Sequence, residues 1–516
     1  MERIFDIGEY FTEKAIIKIL CKKRALAAKK NHDKHYLRNI SNAAKNPNTK
    51  NSDIIYSLFP SRRNWIRANK KERIGRNTNT VELNAIQLER TVGRAFKKFN
   101  GDMANAPAWL LEIQKFTSDL RSSALDHAVN YEIPKPTIRP QLKDKRKKYY
   151  RPICSYELKD LIIISQSAKY LTNCFDQLFL NCSYAFRTGI NNEKKFNHHQ
   201  AIRDLIEFKE EHLNYYVAEC DIKKFFDCVS HEEITIRFDE FVKRAETTLS
   251  ITIHDRAKYL FLSYLKSFSF SFDIAQCESQ ILKSSGINAG SIPWITEQEF
   301  KSIGIDATKL RIGVPQGGAL SCLIANIILH QVDQEILAKD DGQLFYARFC
   351  DDMILVHPDL SYCTNVFQIY QKALIDAKLV CHKPEELVNY DKNFWEIKSK
   401  LPYLWDNYEA IEEKKKNVPW LSFVGYQVRY DNLVRIRKSS IEKELKKQVK
   451  ETGKILRVFK QVRRSKINRR AIVFRLTQRL FRWQLAEYSI QILKSQCVGL
   501  LDLMLLRTTT KYRLSF

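Results

Sequence analysis

The spacing of apolar and polar positions changes along the chain. Residues 1–135 place apolar side chains at helical spacing, as in WLLEIQKFTSDLRSSALDHA (109–128), which predicts amphipathic helices. The segment YEIPKPTIRPQLKDKRKKYYRPI (131–153) is rich in proline and lysine, which predicts a boundary or an extended basic loop. Residues 154–430 mix strand and helix patterns, and a helical pattern returns from 431 onward. We therefore expect an α+β fold with three parts, 1–135, 136–430 and 431–516.

Two apolar segments end at acidic residues. The run YYVAEC (215–220) predicts a strand that delivers Asp221 at its end, followed by a Phe-Phe pair. In LFYARFCDDMILV (344–356), two apolar strands flank a turn that holds Asp351 and Asp352. Like charges this close repel, so the pair makes sense if divalent cations neutralise it. The alternative, a solvated hairpin tip, fits poorly with strands this apolar.

A glycine loop lies between the two acidic segments. Pro315-Gln316-Gly317-Gly318 has glycines that allow the backbone to approach a ligand and its amides to meet phosphate or sugar oxygens. We expect Ser321 to cap the following helix. The apolar residues of that helix fall on one predicted face, and they are Leu323, Ile324, Ile327, Ile328, Val332 and Ile336. Many turns look like this loop, so its position between two acidic strand ends is the informative feature.

Composition then narrows the class of partner. The 516 residues include 86 Lys+Arg and 59 Asp+Glu, a formal net charge of +27, which favours a polyanionic partner over a merely basic surface. No apolar run approaches the roughly 20 residues of a membrane-spanning helix, and the first residues do not resemble a signal peptide. We therefore expect a cytoplasmic protein with no membrane partner. The 12 cysteines include no CxxC pair, so we expect reduced thiols and no zinc site.

Several segments of the chain resemble the motifs of a known protein family. In order, CDIKKFFD (220–227), GVPQGGALS (313–321), FCDD (349–352) and FVGYQV (423–428) resemble motifs A, B, C and E of reverse transcriptases. RPICSYELKD (151–160) and SYAFRTG (183–189) are similar to the finger motifs of the group II intron and bacterial branch. The resemblance covers roughly residues 135–440. It implies a right-hand polymerase with fingers, palm and thumb that copies RNA into DNA from dNTPs.

The resemblance implies a metal site of carboxylates. Asp221 and Asp351 would hold two Mg²⁺ ions about 4 Å apart, with Asp352 as a third carboxylate and Mn²⁺ as a possible substitute. Phe349 stands where the family usually has tyrosine, which keeps the ring and loses the hydroxyl.

The resemblance also implies contacts to the incoming nucleotide. Phe226 matches a steric gate that excludes a ribose 2′-hydroxyl, which makes the product DNA. An ordinary core phenylalanine is the alternative, and it fits Phe225 at least as well. Gln316 matches a residue that contacts the nucleotide. Asp227 is expected to cap the next helix or to pair locally, not to bind metal.

Three further basic residues receive roles from the resemblance. Arg151 and Arg187 are finger arginines that could meet the triphosphate or the template backbone, and a surface or salt-bridge role is the alternative for each. Lys383 lies where motif D often supplies a proton donor to pyrophosphate.

The C-terminal part resembles a primer grip followed by a thumb. Phe423, Gly425 and Tyr426 belong to the grip hairpin. Residues 435–482 contain 18 Lys+Arg and three acidic residues. Phe459, Phe474, Phe481 and Trp483 are interleaved with these charges. We expect this segment to track nucleic-acid backbone, with a solvated helix face as the alternative.

The departures from other subfamilies narrow the resemblance. Paired CxxC ligands of an intron-type endonuclease and the retron signatures NAxxH and VTG are missing, and the PQGG loop is intact. By elimination the chain resembles the bacterial antiviral-defence reverse transcriptases, which commonly work with a non-coding RNA, produce cDNA and in some members form homo-oligomers. Two alternatives stay open. One is a maturase-like RNA-binding scaffold in which catalysis is dispensable, and the other is an RNA-dependent RNA polymerase, against which Phe226 argues.

Overall fold

The computed structural model describes residues 5–40, 53–69, 80–189, 196–209, 214–385, 394, 397–406 and 420–461. Grouping by contacts divides the chain into two compact units. The first consists of Met1–Lys29 with Asn51–Leu404, and the second of Lys30–Lys50 with Trp405–Phe516.

Helices make up most of the described chain. Before the first strands these are α1 (Ile7–Tyr10), α2 (Glu13–Ile40), α3 (Thr80–Lys98) and α4 (Ala108–Leu125). The next are α5 (Leu158–Phe175), α6 (His198–Phe208), α7 (Phe225–Cys228), α8 (His231–Leu249) and α9 (Asp255–Lys266). They are followed by α10 (Glu278–Ser284), α11 (Glu297–Ser302), α12 (Ala319–Leu337), α13 (Leu360–Asp376) and α14 (Lys438–Gln461).

A four-stranded sheet lies at the centre of the first unit. It contains β3 (Tyr215–Asp221), β4 (Phe345–Phe349), β5 (Asp352–His357) and β6 (Lys400–Trp405), in the order β4-β5-β3-β6. Strand β5 runs antiparallel to both β4 and β3. In this register Asp352 pairs with Asp221 on one side and with Phe349 on the other. The register therefore brings Asp221 and the turn before Asp352 to the same end of the sheet, at its two inner strands, and the predicted α+β class is confirmed.

The proline- and lysine-rich segment is a β-hairpin, and our prediction of a loop there was wrong. Strands β1 (Thr137–Asp144) and β2 (Tyr149–Ser155) pair antiparallel, with Pro140 opposite Pro152. A two-stranded sheet consists of edge strands alone, where a missing N–H that faces solvent is tolerated. Proline therefore did not break the strands as the pattern suggested.

Helix α12 is buried around most of its circumference, beyond the one face that its periodicity predicted, and Gln334 near its end is exposed. It packs against α5, α8 and α13, and its polar residues Ser321, Asn326, His330 and Asp333 are buried as well. Ser321 does not cap this helix. Gly318 is the N-cap residue, and the Ser321 hydroxyl donates to the carbonyl oxygen of Pro315 at 2.7 Å. The hydroxyl lies one turn inside the helix, so it fixes the glycine loop instead.

The N-terminal helices belong to the core of the first unit. Phe11, Ile16 and Leu20 are fully buried in the cluster that also contains Ile162 of α5 and Leu323 of α12. The helices predicted for residues 1–135 are confirmed within the described ranges. They share one hydrophobic core with the sheet's own helices.

The second unit contains a small antiparallel sheet. It consists of β7 (Leu421–Phe423), β8 (Tyr426–Val428) and β9 (Val434–Ile436), followed by α14. Among the described residues no helix is long and apolar enough to cross a membrane. Eleven of the cysteines lie within the described ranges, and all of these are free thiols, as the sequence predicted.

Candidate active site

The two acidic segments meet at a two-residue turn beside the end of β3. Cys350 and Asp351 connect β4 to β5, and Cys350 adopts a left-handed backbone with φ of 61°. Burial, and then the negative charge of Asp221, raise the pKa of Asp351 above its ordinary value. The neighbouring Asp352 is exposed at the first position of β5. The predicted pair Asp221 and Asp351 is therefore close enough to interact.

A buried arginine fixes this turn, and sequence reasoning missed it. Arg348 donates to the carbonyl oxygen of Cys350 at 3.1 Å and is held by the carboxylate of Asp333 at 2.6 and 2.8 Å. Burial alone would lower the pKa of Arg348, but the charge and hydrogen bonds of Asp333 raise it above its usual range. The signal was an arginine inside the otherwise apolar strand FYARF.

Asp221 has basic neighbours that the sequence did not indicate. Lys398 donates to a carboxylate oxygen of Asp221, and His382 Nε2 lies 3.7 Å from the same oxygen. The backbone N–H of Asp221 donates to the hydroxyl of Ser399 at 3.1 Å. Burial and the charge of Lys398 lower the pKa of His382 to about 4, so its ring is neutral at pH 7. Lys383 and Lys398 are both exposed.

The donor chemistry of the turn fits a divalent cation. Asp221 and Asp351 offer hard carboxylate oxygens, and burial together with repulsion by Asp221 raises the pKa of Asp351, an energetic cost that a cation would offset. Within the described ranges no group of three or more His, Cys, Asp or Glu side chains is arranged to hold a metal. Asp221 and Asp351 are the two carboxylates that interact at this turn.

A second buried acid lies under the glycine loop. Asp227 is 1% exposed and accepts a hydrogen bond from the side-chain amide of Gln316 through Oδ1. Its other oxygen, Oδ2, has no hydrogen-bond partner among the described residues, and Lys224 Nζ lies 4.0 Å away. Burial raises the pKa of Asp227 to about 6, and the positive charges of Lys224, Arg151 and Lys143 oppose that rise. Charged residues of motif A and of the β1–β2 hairpin therefore form one cluster, to which Gln316 of the glycine loop is hydrogen-bonded.

Backbone hydrogen bonds join motif A and the residue Val229 just after it to Gly313 and Val314, which precede the glycine loop. The N–H of Val314 donates to the carbonyl oxygen of Phe226 at 2.7 Å, and that of Gly313 to Val229 at 2.8 Å. Gly313 has φ of 86°, and an added Cβ would lie 2.8 Å from the carbonyl oxygen of Asp227. Only glycine fits this approach.

The two phenylalanines of motif A occupy different environments. Phe225 is 1% exposed and belongs to the core, whereas Phe226 is half-buried. Their rings lie 5.3 Å apart at 82°. Of the two, Phe226 is thus the ring that a substrate could reach.

The two finger arginines differ as well. Arg151 is exposed on β2, and its charge reaches Asp227 and Lys224. Arg187 is buried and donates to the Asp176 carboxylate at 2.9 Å, so the salt-bridge alternative is correct for Arg187.

The predicted primer grip is a tight hairpin of the second unit. Phe423 pairs with Tyr426 across a turn of Val424 and Gly425, and Gly425 has φ of 87°. Phe423 is buried and Tyr426 is half-buried. The predicted basic segment 435–482 is described only to Gln461, as part of β9 and α14. Its remainder, with Phe474, Phe481 and the following Trp483, lies outside the described residues.

Comparison with known proteins gives a family for the central part of the chain. Residues 133–384 match the sequence profile of the family described as reverse transcriptase (RNA-dependent DNA polymerase). A telomerase reverse transcriptase of Oryza sativa subsp. japonica is 24% identical over 215 residues, which are 35% of this chain and 17% of that protein. This chain therefore spans about a sixth of that relative.

Solved telomerase structures give weak matches. Telomerase from Candida tropicalis with a fragment of telomeric RNA is 10% identical, with 70% of this chain and 56% of that chain covered and a TM-score of 0.37. Telomerase from Candida albicans with a fragment of telomeric RNA is 15% identical, with 70% and 59% covered and a TM-score of 0.33. Scores this low carry no argument. Residues 133–384, just under half of the chain, thus resemble a reverse transcriptase domain, and the four-stranded sheet corresponds to the palm of the right-hand polymerase fold.

Proposed function

We propose that the chain is an RNA-directed DNA polymerase that works with two divalent cations, Mg²⁺ by preference. One observation carries the proposal. Asp221 and Asp351 converge at the ends of palm strands, beside a glycine loop whose preceding residues are joined to motif A by backbone hydrogen bonds. Divalent cations, when bound there, would activate a primer hydroxyl and stabilise the leaving diphosphate.

Other residues of the chain would bind the incoming nucleotide. Lys143, Arg151 and Lys224 surround Asp227, and their positive charges suit a triphosphate. The hydrogen bond to Asp227 would fix the side chain of Gln316, the residue that the motif places at the incoming nucleotide. Phe226, the more accessible ring of motif A, would contact the sugar and exclude a ribose 2′-hydroxyl. The product in this proposal is therefore DNA.

A lysine would supply the proton that the leaving diphosphate takes up. Lys383 lies where motif D often supplies this proton, and its side chain is exposed, as is that of Lys398. Lys398 contacts Asp221 directly and is the better placed of the two. We therefore propose Lys398 as the proton donor. Lys383 is the residue with which its role is compared.

The remaining roles rest on motif order. The carboxylate of Asp352 would support the pair Asp221 and Asp351 from the adjacent position. The hairpin of Phe423, Gly425 and Tyr426 would hold the primer end, and the basic helix α14 would follow the duplex backbone.

We further propose that the template is a non-coding RNA and that the cDNA serves antiphage defence in a bacterium, with self-association of the chain as an accompanying feature. Support comes from the intact PQGG loop and from the missing endonuclease and retron signatures. These finer assignments stand apart from polymerase activity, since each could fail while DNA synthesis persists.

The experiment uses the full chain, an RNA template with an annealed DNA primer, dNTPs and Mg²⁺. Extension of the primer is expected, together with its loss on removal of Mg²⁺ and in Asp351→Asn. The matched control is Asp239→Asn, which changes an exposed aspartate on α8 and should keep full activity. Absence of extension by the wild-type chain, or equal extension by Asp351→Asn, would contradict the proposal. Protection from phage by Asp351→Asn would favour the RNA-binding scaffold.

A further inference from the structure

Phe186 is an exposed aromatic residue in a backbone conformation that phenylalanine rarely adopts. Its side chain is 43% exposed, and its φ is 57°. A left-handed backbone costs an L-residue with a bulky side chain free energy relative to glycine. Solvent exposure of the ring returns little hydrophobic stabilisation. Neither feature helps the fold, so both call for another explanation.

The loop that carries Phe186 is held from both sides. Next to it, Arg187 is clamped by Asp176, which also accepts the N–H groups of Thr188 and Gly189 at 3.0 and 2.9 Å. Earlier in the loop, the N–H of Tyr184 donates to the carbonyl oxygen of Arg348 at 2.9 Å. Because these contacts fix the backbone before and after it, Phe186 remains in its costly conformation.

The same contacts bring the ring beside the catalytic turn. The Phe186 ring lies 6.5 Å from that of Phe349, and the His198 ring lies 6.2 Å from Phe349 at 88°. Phe349 immediately precedes Cys350 and Asp351. These three rings, Phe186, His198 and Phe349, form an aromatic shelf at the edge of the active site.

We propose that Phe186 is a stacking residue for a nucleobase of the primer–template, at one fixed position of the strand beside the Asp351 turn. A flat exposed ring suits any base, because every base has a π-face, and such stacking is a common contact to unpaired nucleotides. The occupant is a base and not a protein partner because the shelf adjoins the turn that the substrate strand must reach. The inference rests on the proposed polymerase function.

The variant Phe186→Gly should lower nucleic-acid affinity without lowering the stability of the fold. Phe186→Gly removes the ring and relieves the backbone, so the variant should fold at least as stably as wild type. Its affinity for a primer–template should fall about tenfold, within the range of a lost base–aromatic stack. Phe186→Tyr should retain wild-type affinity. Ile236→Ala, which trims an exposed apolar side chain on α8, is the control that should change nothing.

Binding is measured by fluorescence anisotropy with the full chain and a labelled RNA–DNA primer–template, without metal and without dNTPs. A series of duplexes carries one abasic nucleotide at successive positions. At one position the abasic site should weaken wild type about tenfold and leave Phe186→Gly unaffected. Equal affinity of wild type and Phe186→Gly would contradict the stacking proposal. So would an abasic site that weakens Phe186→Gly as much as it weakens wild type in every duplex.

The two proposals fail in distinguishable ways. A wild-type chain that binds with this position-dependent pattern but never extends the primer would contradict polymerase activity and keep the shelf. A Phe186→Gly chain that binds and extends like wild type would contradict the shelf alone.

Discussion

Two buried carboxylates near the active site differ in the number of hydrogen bonds that they accept from the protein. Asp333 and Asp227 are each 1% exposed. Asp333 accepts two hydrogen bonds from Arg348 and one from the Tyr346 hydroxyl at 2.8 Å. Asp227 accepts one from Gln316, and its Oδ2 has no partner among the described residues. Both oxygens of Asp333 therefore have partners within the protein, whereas Asp227 has one oxygen without a hydrogen-bond partner among the described residues.

The difference suggests different roles for the two acids. The Asp333–Arg348 pair supports the turn of Cys350 from behind, so its function is structural. Asp227 lies among Lys224, Arg151 and Lys143, and its charge balances cations that we expect to meet a triphosphate. A buried acid without full compensation has a free-energy cost, which active sites often retain.

The largest expected effect is a loss of stability when the Asp333–Arg348 ion pair is broken. Asp333→Asn would leave the buried guanidinium of Arg348 without its counter-charge and should lower the free energy of unfolding by about 3–5 kcal/mol. Urea unfolding of the full chain measures this loss. Asp227→Asn at pH 7 is the matched control and should not lower stability, because it removes a poorly compensated charge. A loss under about 1 kcal/mol in Asp333→Asn would mean that the comparison is wrong.

The second prediction concerns pH. The pKa of Asp227 in the folded chain is about 6, above its ordinary 3.8, so the folded state binds more protons between these values. Stability from this group is therefore fully present below about pH 4 and falls as pH rises to about 6, by about 3 kcal/mol. Asp227→Asn should lack this fall. The measurement is urea unfolding of both proteins at several pH values.

Histidines titrate in the same range and must be separated from Asp227. Burial lowers the pKa of His231 to about 4 and that of His330 to about 3, so their contributions rise with pH. Both residues are present in wild type and in Asp227→Asn, and they cancel in the difference between the two curves. A pH-independent difference would show that Asp227 is ionised without penalty.

The sequence predicted the elements that depend on local pattern. The strand that ends at Asp221 and the hairpin that carries Asp351 follow from short apolar runs and are confirmed. The satisfaction of a buried acid depends on partners far along the chain. Gln316 is 89 residues from Asp227, and Lys398 is 177 residues from Asp221. A single sequence contains no periodic signal for such pairs.

The wrong predictions have a related cause. Proline and lysine in 131–153 indicated a loop, but a two-stranded hairpin accepts both residues on its edges. Ser321 matched a capping pattern, but the first turn of α12 begins at Ala319 and the hydroxyl found Pro315. In both cases tertiary context overrode a local preference.

The third prediction tests how closely Gly313, just before the glycine loop, approaches Asp227. Gly313→Ala and Gly317→Ala both place alanine at a positive φ, of 86° and 89°. At Gly313 the new Cβ would also lie 2.5 Å from Cβ of Phe270, whereas Gly317 faces open space. Gly313→Ala should therefore be less stable than Gly317→Ala by about 2 kcal/mol in urea unfolding. Equal stabilities would indicate that motif A and the loop can separate at little cost.

The smallest expected effect concerns Lys398, which partly compensates Asp221 in the absence of metal. Its side chain is 55% exposed, so solvent screens the pair, and it is worth about 0.5 kcal/mol. Lys398→Met should free Asp221 for a cation and raise the affinity for Mn²⁺ about twofold in a titration followed by electron paramagnetic resonance. Lys383→Met removes an exposed lysine of the same charge and should leave that affinity unchanged. Weaker Mn²⁺ binding by Lys398→Met would mean that the lysine orients Asp221 for the metal and does not compete with it.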